Sequence, residues 1–145
     1  MASSTPFIKA IELFDLANQE DPNTEIWEGK EWPKELLYAH RMSDCLSSFQ
    51  PDASEALQLA ARSQHICRWE IPRDSFSKDR IGYLEWRNTL KAFHAEKAGS
   101  ILQQVGYEQA VIDQVKFLLL KKQLKRHPDT QTLEDVICLV FLQYY

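Results

Sequence analysis

A chain of 145 residues, 44% of them hydrophobic and including four Trp and seven Phe, can fill one core and suits a single domain. Its formal net charge of −4 argues against a general polyanion binder. Nucleic acid is therefore not an expected partner, and a phosphate ligand would need a local basic pocket. Cys45, Cys67 and Cys138 are odd in number and widely spaced, with no C-x-x-C, as expected of packed thiols in a reducing compartment. Met1 to Thr5 is polar, and no apolar run approaches the roughly 18 residues of a membrane span, so a cytoplasmic protein without membrane association is expected.

Apolar residues recur at helical spacing, strand-like alternation is missing, and hairpin dipeptides such as Asn-Gly do not occur. The expectation is all-α: one bundle of about six helices and no sheet. The first helix is predicted from Pro6 to about Gln19, with Thr5 as N-cap and Pro6 at the first helical position. Asp21-Pro22 stops it. Residues 23–32, with Trp27, Gly29 and Trp32, read as loop. A second helix runs from Pro33 to about Phe49 and carries His40, and Pro51 breaks it.

Asp52 or Ser54 caps a third helix that begins at Glu55 and is read as continuing to Ile71-Pro72. Leu57, Ala61 and His65 fall four apart and share a face, close to Arg62, Arg68 and Trp69. The charged stretch from Ile71 to Gly82, with Arg73, reads as a loop, either a solvated connector or a cover over a pocket. The fourth helix spans about Tyr83 to Val105. Leu90, His94, Ala98, Ile101 and Val105 share its inner face, Lys97 stands beside them, and Gly106 suits a left-handed C-terminal cap. The fifth runs from about Glu108 to Leu124 and turns basic at Lys121, Lys122, Lys125, Arg126 and His127, a run that reads either as cations meeting the negative end of the helix dipole or as a phosphate-binding group. The last opens at Thr132 and is apolar all round from Val136 to Leu142. Asp135 has two readings, the third residue of a Thr132 capping box or an inward carboxylate in need of a cation or metal. Tyr144-Tyr145 brings no polar finish, and the sequence is expected to stop short of a natural C-terminus.

Three inward histidines and a carboxylate thus sit on four helices: His40, His65, His94 and Asp135. Side chains projecting into a bundle from separate helices can hold a catalytic divalent ion, with Mn, Fe, Ni, Zn or Mg as candidates. No phosphate-binding glycine loop, dinucleotide fingerprint, H-E-x-x-H or G-x-S-x-G occurs.

The segments LYAHRMSDCL, LQLAARSQHICRW, KAFHAEKAGSILQQVGY and LEDVICLVFL resemble, in order, successive helices of the HD-domain superfamily of metal-dependent phosphohydrolases. RSQHICRWEIPR, GYLEWR, FHAEKAG and TLEDVICLVFLQYY are more closely similar to an uncharacterised family of unknown function grouped with it. The resemblance implies an HD-like helical bundle. In it His40 matches the first metal ligand, His65 the histidine of the His-Asp doublet, Asp135 the late aspartate, and His94 a further histidine that serves as ligand or acid/base. The doublet's aspartate is Ile66 here. Two functions follow. One is a metal-dependent phosphohydrolase acting on a nucleotide or small phosphate ester, with His40, His65 and Asp135 on the metal, His94 in catalysis, and Arg68, Arg73, Lys97 and Lys122 on the phosphate. The other is a degenerate, non-catalytic bundle that binds a phosphorylated ligand or a protein partner. Ile66 favours the second, and the retained histidines with Asp135 favour the first.

Overall fold

Helix α1 covers Thr5–Gln19, and its residues Ala10, Phe14 and Asn18, four apart, form the buried stripe. The computed structural model describes residues 5–122 and 126–145, so Lys125 of the basic run lies outside the described residues. Asp21 closes the turn after α1. Its carboxylate accepts from the backbone N–H of Asn23 at 2.9 Å and of Glu35 at 2.8 Å, which binds the start of the second helix to the end of the first.

Residues 23–32 are not a simple loop. Strands β1 (Thr24–Trp27) and β2 (Lys30–Pro33) pair antiparallel, with Trp27 opposite Lys30. Glu28 and Gly29 turn the chain at φ 50° and 77°, the left-handed pair that a tight two-residue hairpin needs. Glu-Gly is a weak turn signal and the strands are mostly exposed, so their order comes from outside. Trp27 meets Tyr144 edge-on at 5.5 Å, and Glu25 accepts from buried Arg41 at 3.0 Å. The guanidinium of Arg41 also lies over Trp27, Tyr144 and Tyr145, joining the hairpin to the C-terminal helix.

Helix α2 spans Lys34–Phe49, and α3 spans Glu55–Ser63. Ser54 is the α3 cap, its hydroxyl accepting from Leu57 N–H. The expected continuation of α3 to Ile71 does not occur. Ser63 Oγ bonds back to Leu59 O at 2.8 Å, competing with the ladder, and Cys67 adopts φ 54° with its N–H captured by Asn18 Oδ1 at 2.9 Å. His65 therefore stands on a turn, and Arg68–Glu70 and Arg73–Ser75 are short 3₁₀ turns.

Helix α4 covers Arg80–Val105, capped by Asp79 on Gly82 N–H and ended by Gly106 at φ 100°. Helix α5 covers Gln109–Leu119. It stops before the basic run, and Lys121 takes a left-handed φ of 56°. Helix α6 covers Pro128–Tyr144, beginning one turn before Thr132 because Pro128 suits the first helical position and His127 Nδ1 accepts from Asp129 N–H. The Thr132 capping box consequently does not form. Thr132 donates to Gln50, and Asp135 accepts from Gln131 one turn back. Among the described residues the molecule is a mostly helical bundle of six α-helices with one small hairpin. α3 packs between α2 and α5, α4 lies along α1 and α5, and α6 rests on α2. Phe14, Met42, Leu57, Leu102, Leu118 and Val136 are fully buried where these faces meet. No described helix is long and apolar enough to cross a membrane.

Candidate anion-binding cleft

A cleft of about 260 Å³ opens where the turn after α3 meets α2, α4, α5 and α6. His65 lies in its wall. Tyr38, from α2, stacks on the imidazole at 4.1 Å between ring centroids and 16° between planes. Tyr38 Oη donates to Gln64 Oε1 at 2.7 Å, which fixes the turn against α2. Behind the imidazole, Glu35 Oε1 is 3.4 Å from His65 Nδ1. His94 enters from α4, its ring centroid 5.9 Å from that of His65. It is 4% exposed, and its Nε2 is buried without a hydrogen-bond partner. Such an orphaned polar atom at a cleft wall calls for a ligand or water.

Four cations line the same cleft: Arg68, Arg87, Lys91 and Lys121. The Arg68 guanidinium lies 4.9 Å from the Trp86 ring, whose indole N–H donates to Ile71 O at 2.8 Å. Its Nε is buried and unpartnered. Arg87 and Lys91 are one helical turn apart on α4, on the stripe of Leu90 and His94. Lys121 is aimed inward by its left-handed backbone and pairs with Glu134 at 3.3 Å. Among the described residues, two of the three non-glycine residues with positive φ, Cys67 and Lys121, thus adjoin or line the cleft, where strained backbone tends to serve a site. No Asp or Glu side chain among the described residues lines it.

The electrostatics follow. Burial, then Arg68, Lys121 and Arg87, push the His65 imidazole well below its ordinary range. His94 is also driven well down, to about 2, by burial, by His65 and by the cations Arg68 and Lys121. Both rings are neutral at physiological pH. Burial raises the Glu35 carboxyl to about 7, with Arg68 and Lys34 pulling the other way.

Of the residues predicted from sequence, His65, His94 and Arg68 meet here and the others do not. His40 is two residues beyond Tyr38 and so faces another side of α2. Its Nε2 is 3.2 Å from Arg62 Nη2 and 3.9 Å from Asp15 Oδ2, within an Arg62–Asp15 ion pair, and its ring lies against Trp32. Asp135 is held by Gln131, and its neighbour Glu134 is the carboxylate that reaches Lys121. Lys97 pairs with Glu70 at 3.5 Å. Arg73 donates to the carbonyls of Phe76, Ser77 and Asp79, holding the loop before α4. Lys122 is exposed. Ile66 is fully buried among core side chains, so an aspartate in its place would lie in apolar surroundings rather than in the cleft. The residues that sequence reasoning missed are Tyr38, Glu35, Arg87 and Lys91, whereas Lys121 enters it only as one of the basic run. Arg87 and Lys91 carried a usable signal, since 87, 90, 91 and 94 follow one helical stripe.

The model of a family described as a domain of unknown function, DUF4202, matches residues 8–145. The chain belongs to this family. No curated protein and no solved structure matches it. The DUF4202 match takes in every lining residue of the cleft, so the site lies wholly within the family's domain.

A catalytic divalent ion commonly takes three protein ligands and an open position. Among the described residues no group of three or more His, Cys, Asp or Glu side chains is gathered. His65 and His94 alone share the cleft, and its four cations oppose a further positive charge. As arranged, the residues do not fit such an ion.

Proposed function

We propose that the chain is a binding module for a small phosphorylated molecule, held in the cleft by Arg68, Arg87, Lys91 and Lys121. The observation that carries this reading is the concentration of four cations, with no Asp or Glu among the described lining residues, in a chain whose formal net charge is −4. Charge-assisted hydrogen bonds from guanidinium and ammonium groups are the strong contacts to phosphate. The unpartnered Nε2 of His94 adds a neutral imidazole nitrogen at the cleft wall, a donor to phosphate in its Nε2–H tautomer.

The competing phosphohydrolase reading draws support from two imidazoles in the same cleft. A general base works best with a pKa near the operating pH, and His94 lies far below it. Glu35 falls in the right range but does not line the cleft. Binding without turnover is therefore the better-supported function.

The histidine ring resonances test it. The chain has four histidines, and only His65 and His94 line the cleft. Titration with inorganic phosphate is expected to shift the His65 and His94 imidazole signals and leave those of His40 and His127 in place. Shifts confined to His40 or His127, or none at all, would overturn the reading.

A further inference from the structure

Resting on that reading of the cleft, we infer that its ligand carries two phosphoryl groups, as a diphosphate or closely spaced bisphosphate, rather than one. The charges call for it. Lys121 is compensated by Glu134, whereas Arg68, Arg87 and Lys91 have no carboxylate within ion-pair distance among the described residues. A phosphate monoester brings a charge of about −1.5 to −2 and would leave positive charge uncompensated in a partly desolvated cleft. Two phosphoryl groups match the excess.

The cations reach the cleft from three parts of the fold: Arg68 from the turn after α3, Arg87 and Lys91 from α4, and Lys121 from the segment after α5. Arg87 is braced by a bond from its Nη1 to Tyr83 Oη at 2.9 Å. Two linked phosphoryl groups offer oxygens to all of these directions.

The volume, about 260 Å³, lies below the roughly 300–1,000 Å³ of ordinary small-molecule pockets, so it takes the phosphoryl groups and little else. The rest of the ligand passes out beside Phe141 and Tyr145, which are 63% and 51% exposed at the edge of the cleft.

Calorimetric titration of the full chain with inorganic pyrophosphate and orthophosphate, in metal-free buffer at one pH, tests this. Pyrophosphate is expected to bind at least about 100-fold more tightly, since each additional charge-assisted contact is worth about tenfold. Lys91→Met, a half-buried surface change, is expected to narrow that ratio by about tenfold, with Arg87→Gln acting in the same direction. Equal affinity for the two anions, or a ratio untouched by either substitution, overturns the two-phosphoryl inference while leaving the cleft reading in place. Failure of both anions to bind overturns both.

Discussion

His65, His94 and Glu35 are close together and titrate abnormally, each for the same first reason, burial. The consequences for stability have opposite signs. The two imidazoles have native pKa values below the ordinary 6.5, so below that pH the unfolded chain takes up protons that the native state refuses, and stability falls with acid. Glu35 is raised from 4.5 to about 7, so its contribution is fully present below 4.5 and is lost as pH rises towards 7. Glu35→Gln removes that loss. It should raise stability at pH 8 by an amount on the order of 2 kcal/mol and give no gain at pH 4.5. Urea unfolding at the two pH values checks this, and an equal effect at both would contradict it. At this scale the sequence was partly legible. The inward face of His94 followed from its spacing to Leu90 and Ala98, and both of those are buried. The outward position of His40 was also open to reading, because Tyr38 and His40 cannot share a helix face. The inward aim of Lys121 was not, since it depends on a left-handed φ that no residue type there signals.

The segment from Gln64 to Ile71 is where element-level reading departed most from the structure. Periodicity favoured a continuous helix, but Asn18 captures the Cys67 N–H from 49 positions away, and no local pattern reports that contact. The same holds for the hairpin, whose strands are secured by Arg41 and Tyr144 rather than by their own residues. The break shapes the cleft. It turns Arg68 onto Trp86, and Trp86 is itself bonded to Ile71. Gly82 permits the next turn, because a Cβ there would collide with the carbonyl and hydroxyl of Ser77. Gly82→Ala must therefore displace the loop before α4. It should cost about 1–3 kcal/mol, as overpacking does, and weaken phosphate binding through Arg68. Unchanged melting with unchanged phosphate affinity would contradict this coupling of loop to cleft.

For the molecule as a whole, a helical bundle was legible because the apolar spacing is helical nearly throughout and β signals are lacking. The convergence of side chains was less so. Four helices each presenting a polar residue do not place those residues at one depth or on one side of the bundle, and His40 and Asp135 lie in other environments than His65. What the bundle does gather is positive charge within a negative chain. Two charge-matched variants test this most directly, since each removes two cations and any general electrostatic effect is common to both. Arg68→Gln with Arg87→Gln strips the cleft, and Lys97→Gln with Lys122→Gln strips positions outside its lining. Calorimetric affinity for inorganic phosphate should fall by more than about tenfold in the first and change by less than about twofold in the second. Equal losses in the two, or a larger loss in the second, would contradict the cleft as the binding site.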